Sequence, residues 1–177
     1  MRLGRHQRRR HRAARSSSFD AVGLLAGALL GTSVMTTIME AAQARRVTRM
    51  SLPYLLGTMA TERRARIRIY GSLFHFLNGI AFASGYALVF QRLGRAGPLR
   101  GGAIGALHGT GVLVALMPIV QDVHPRMADE DEGPDPTPML QPPGFLALNY
   151  GARTPLVTLT AHVVYGAIVG AAYRVRG

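Results

Sequence analysis

The stretch RIYGSLFHFLNGIAFASGYALVFQ, residues 68–91, decides the fold. After Arg68 it contains no Asp, Glu, Lys or Arg, and it exceeds the roughly 20 apolar residues that a helix needs to cross a bilayer. A soluble helix of this length would carry polar residues along a whole outer face. This one does not. At about 100° per residue, Gly71, His75, Asn78, Gly79, Phe82, Gly85 and Tyr86 gather within about a third of the circumference. Leu73, Leu77, Ile80 and Leu88 fall on the other side. The segment therefore predicts a membrane span with one lipid face and one small, polar face.

Three further segments pass the same length test: about 19–41 (FDAVGLLAGALLGTSVMTTIMEA), 101–121 (GGAIGALHGTGVLVALMPIVQ) and 154–173 (TPLVTLTAHVVYGAIVGAAY). Glycine recurs in all of them, which disfavours a soluble helix and is ordinary in a membrane. The expected fold is all-α: a four-helix transmembrane bundle with spans 19–41, 68–91, 101–121 and 154–173. The basic start and Ala42-Gln43-Ala44 match parts of a cleavable signal. The apolar run is longer than such signals carry, so the first span is expected to be retained.

The chain has 177 residues and a formal charge of +12, all 21 basic residues being Arg. A soluble protein of that charge would suggest nucleic acid. Here the arginines cluster at the flanks of long uncharged runs, the pattern of membrane borders, so no nucleic-acid partner is expected. With no Cys, disulfides and thiolate sites are excluded. Four spans put both termini on one side, where 12 arginines stand against 9 on the other, predicting cytoplasmic termini.

The connections differ in character. Residues 1–18 are expected to be an Arg-rich disordered tail lying on anionic lipid head groups, with 19–177 as the membrane domain. Residues 50–61 (MSLPYLLGTMAT) are apolar but too short to span, which predicts a short interfacial helix after the first span. The loop 122–147 turns acidic and proline-rich, and is expected to be solvated and mobile.

Helices in lipid associate through small residues. Gly23, Gly27 and Gly31 line one stripe of the first span, Gly101, Gly105 and Gly109 one stripe of the third, and Gly166 and Gly170 one stripe of the fourth. These are the expected packing contacts. Interior polar residues are the candidate site, because ionisable groups are costly in a bilayer and face the bundle interior. His75 and His162 fall at matched depth in from the 42–68 side, with Glu40, Asp122 and His124 above them and Asn78 and Tyr165 on the same stripes. His108, counted from the opposite end, is expected about 10 Å or more away along the normal.

Two His and a carboxylate suit a first-row metal, two His from different helices suit axial haem ligation, and the same group suits proton relay. Plain interhelical hydrogen bonding is the simpler expectation. No G-x-S-x-G, phosphate loop or HExxH spacing occurs, so no enzyme activity is expected.

The segments SLPYLLGTM, FHFLNGIAFASGYALVF, ALHGTGVLVALMPIVQDVHPRM and HVVYGAIVG together resemble a group of small bacterial membrane proteins similar in plan to the YagU-like inner-membrane proteins. That resemblance covers about residues 20–175 and implies a multi-pass protein of the bacterial inner membrane. The expectation is a non-enzymatic structural or accessory subunit of a larger membrane assembly, with other membrane subunits as partners. The alternative is a haem-, metal- or proton-handling protein built on the interior histidines.

Overall fold

A computed structural model describes residues 19–127 and 140–175. The expected tail 1–18 and most of the acidic loop lie outside the described residues. Among those described, the chain is helical: α1 (Ala21–Ala44), α2 (Leu52–Ala60), α3 (Arg64–Leu93), α4 (Pro98–Gly111), α5 (Met117–Val123) and α6 (Thr154–Ala172). One π-helical turn, Val112–Leu116, joins α4 to α5 into a continuous rod. Four helices are long and apolar enough to cross a membrane: α1, α3, the α4–α5 rod and α6. Only 33–39% of each apolar window is buried inside the chain, so most of this apolar surface faces outward, as in a lipid-solvated bundle.

Two of these spans begin before their expected starts. The second starts at Arg64 rather than 68, and the third at Pro98 rather than 101. Arginine is a good helix former, and proline at a first helical position loses no hydrogen bond; hydropathy alone registers neither. Gly94, at φ +67°, ends α3 in the left-handed conformation that glycine adopts without a side-chain clash.

Small residues set the packing. The helices neighbour one another in the order α3, α1, α6, α4, with α2 folded against α3. Gly27 and Gly31 of α1 meet Val169 and the Tyr165 ring of α6. On the neighbouring face of α6, Gly166 and Gly101 each press on the other's backbone, and Gly105 presses on the His162 carbonyl. The α2–α3 contact is equally close, because Gly71 lies against the Pro53 carbonyl and Gly57 against that of Ile67. In the α4–α6 and α2–α3 pairings backbones meet with no side chain between them, the arrangement that gives the most dispersion contact without a hydrophobic drive.

Polar residues tie the ends. Asp20 caps α1, Oδ1 accepting from Gly23 N at 3.1 Å and Oδ2 from Arg174 N at 2.9 Å, which joins the two ends of the described chain. At the other end, Arg126 reaches back to α2. It donates to the carbonyls of Thr58 at 2.6 Å and Met59 at 3.2 Å and pairs with Glu62 at 3.3 Å. Tyr150 OH donates to the Gln141 carbonyl at 2.6 Å; burial pushes its phenol up from the ordinary range and Arg49 pulls it the other way.

Candidate functional site

One edge of the bundle is open. Although α3 and α4 follow each other in sequence, they meet chiefly through the rings of Phe82, Tyr86 and His108. Beyond those rings the two helices part, and α2 roofs the gap. The space enclosed is a cavity of about 370 Å³. Its walls come from α1, α2, α3, the α4–α5 rod and α6, and its outer rim from partly exposed Met59, Phe82, Leu116, Ile119 and Val123.

The π turn shapes this edge. Pro118 has no N–H to give the Val114 carbonyl, and its ring crowds that carbonyl. Upstream, Met117 N–H bonds Val112 O instead of a carbonyl four residues back, which adds a residue to the turn. Such π turns recur at functional sites, and this one lines the cavity with Val112, Leu116 and, just beyond it, Met117. Pro118 in the middle of a span is the signal that marks it in the sequence.

The interior histidines converge here. His75, His108 and His162 all line the cavity, with His75 and His162 buried. The ring centroids of His108 and His162 are 4.7 Å apart, which corrects the expected separation of His108 from His162. Depth counting started both helices at a common plane. In the fold, the register of α6 is set by glycine contacts instead, which bring Gly105 and Gly109 directly against His162 and place His108 one turn away on the same face.

The carboxylates and His124 lie elsewhere. Glu40 and Asp122 are exposed and do not line the cavity. His124 is buried in a separate network: its Nδ1 accepts from Arg126 N at 3.1 Å, so Nε2 carries the proton and donates to Leu55 O at 3.1 Å. That fastens the end of α5 to α2. Among the described residues no group of three or more His, Cys, Asp and Glu is placed to hold a metal ion.

The hydrogen-bond state of the cavity wall is unusual for a closed core, where nearly every buried polar atom has a partner. His162 Nδ1 donates to Thr158 O at 2.8 Å, leaving Nε2 as a bare acceptor in the neutral ring. Tyr165 OH donates to Gly79 O. Tyr86 OH lies 3.1 Å from His108 Nδ1. By contrast, His108 Nε2 and Thr32 Oγ1 are buried with no partner among the described residues. His75 and Asn78 also make no side-chain hydrogen bond there, so the expected ties to neighbouring helices through these two are not formed. Asn78 is exposed at the open edge. Thr32, one residue after the glycine stripe of α1, went unnoticed in the sequence because threonine in a membrane helix usually bonds its own backbone.

No protein-family model, curated protein or solved structure matches the chain, which leaves the cavity itself as the guide to function.

Proposed function

We propose that this chain is a non-enzymatic multi-pass membrane protein that admits a lipid-soluble small molecule through the α3/α4 edge and holds it in the cavity. The observation that supports this most strongly is the cavity: about 370 Å³, open on an apolar surface and ending on polar side chains without partners. Its volume falls in the range of small-molecule pockets, roughly 300–1,000 Å³. Its composition fits as well, being mostly aliphatic with a few convergent polar groups.

Ligand binding takes precedence over the accessory-subunit role expected from sequence. A bundle serving only to pack against other subunits gains nothing from a void, because its walls lose dispersion contacts and its polar atoms stay unpaired. In this reading the four long helices cross a bacterial inner membrane with cytoplasmic termini, and α2 lies at the interface.

Thermal unfolding in a non-ionic detergent tests the proposal, with 1-decanol as the probe. At saturation a ligand stabilises the folded state by mass action, and the transition of the wild-type protein should rise by about 5 °C or more. Val112→Phe places a ring in the cavity, Val112 being a buried wall residue, and should abolish the shift; Leu116→Trp should do so from the rim. Equal shifts in wild type and both variants would show that decanol acts elsewhere.

A further inference from the structure

We infer that the occupant is an uncharged lipophile whose polar end is a hydroxyl group. This rests on the pocket proposed above and concerns what that pocket selects.

The first consideration is charge. None of the residues lining the cavity is Asp, Glu, Lys or Arg. A phosphate, carboxylate or ammonium head would enter without a counter-ion, and an unpaired charge in an apolar site is strongly disfavoured. The nearby charged pair, Arg126 and Glu62, is already engaged with itself and with the carbonyls that end α2.

The second is donor and acceptor accounting. His162 has given its Nδ1 proton to Thr158 O, so its Nε2 asks the ligand for a donor. At His108 the requirement is reversed. The phenol of Tyr86 has His108 Nδ1 as its hydrogen-bond partner, and a buried hydroxyl proton takes an available acceptor. Its proton therefore points at Nδ1, the imidazole proton sits on Nε2, and that N–H is enclosed by protein atoms without an acceptor. Thr32 Oγ1 is likewise enclosed and unpartnered. A neutral His75 ring adds one donor and one acceptor.

The wall thus offers both kinds of group at its inner end, an acceptor at His162 Nε2 and a donor and a second acceptor on the His75 ring. A ketone or ester head only accepts and leaves His162 Nε2 unmet. A carboxylic acid does both only while protonated, and its anion finds no cation in this wall. A hydroxyl donates and accepts at once without charge. With the histidines innermost and Leu116, Ile119 and Val123 at the rim, the hydroxyl points inward and the hydrocarbon outward.

Native mass spectrometry of the full chain in non-ionic detergent, with three probes sharing one fifteen-carbon chain, tests this: farnesol, the hydrocarbon farnesene and farnesyl phosphate. Farnesol should bind roughly tenfold or more tighter than either of the others, the scale of one or two buried hydrogen bonds. His75→Leu and His162→Phe should each bring farnesol down to the level of farnesene and leave farnesene binding unchanged. Should these variants fail to fold, the wild-type ranking of the three probes still decides. Equal binding of farnesol and farnesene overturns the hydroxyl assignment and leaves the pocket standing. Preference for the phosphate overturns the charge argument. Failure of all three probes to bind removes the pocket and the inference together.

Discussion

Replacing Gly101 or Gly166 with valine should separate α4 from α6 and cost the bundle its fold. The carbonyl of each glycine occupies the place where the other's side chain would begin, and a backbone carbonyl inside a helix cannot swing aside as a side-chain end can. Over-packing usually costs about 1–3 kcal/mol; with two backbones forced apart, at least about 3 kcal/mol is expected, a large fraction of the margin of an ordinary domain. Size-exclusion profiles and heat unfolding in non-ionic detergent would read this as aggregation or loss of a cooperative transition. The same chemistry at Gly85 and Gly111 supplies the control. Nothing lies within 4 Å of a Cβ at either position, so Gly85→Ala and Gly111→Ala should leave stability unchanged or raise it by up to about 1 kcal/mol through helix propensity.

Tyr165→Ala should be comparably damaging. This ring is 2% exposed, packs against Gly31 of α1 and stands edge-on to Tyr86 of α3, centroids 5.7 Å apart. Its hydroxyl reaches Gly79 O, so one side chain of α6 joins three spans at the inner end of the cavity. Removing it should cost about 3–5 kcal/mol, the range for large aromatic truncations. Tyr165→Phe keeps the packing and loses one hydrogen bond, for about 0.5–1.5 kcal/mol. A ratio near unity between the two variants in chemical unfolding would show that the hydroxyl, not the ring, joins the helices.

The spans were legible because bilayer thickness leaves a direct imprint on sequence: 20-odd residues with no charge after Arg68 have few alternatives. The glycine spacing on α1, α4 and α6 was legible for a related reason, since only small residues let helices approach in lipid. Helix order was not. Nothing local to Gly27 or Gly105 says that both face α6, so the gap between α3 and α4, and with it the cavity, emerges only from assembly. His108 was misplaced because depth counted along one helix ignores how two helices slide past each other until their glycines meet. His75 and His162, counted to matched depth, both line the cavity, whereas the exclusion of Glu40, Asp122 and His124 from it could not be read from depth. Pro118 was an unread signal beside Thr32; a proline within a span demands a local repair of the hydrogen-bond ladder, and that repair lines the site.

The claim that the α3/α4 edge admits a lipid-soluble molecule is tested most directly by photoaffinity labelling of the full chain in lipid nanodiscs. A long-chain alcohol with a diazirine beside its hydroxyl would be used, and adducts mapped by peptide sequencing. Adducts should concentrate on the inner wall, around His75, Gly79, Val112 and His162, and an excess of unlabelled alcohol should suppress them. Adducts spread over outward apolar side chains such as Leu29, Leu30 and Leu156 in proportion to their exposure, and indifferent to competition, would contradict the claim.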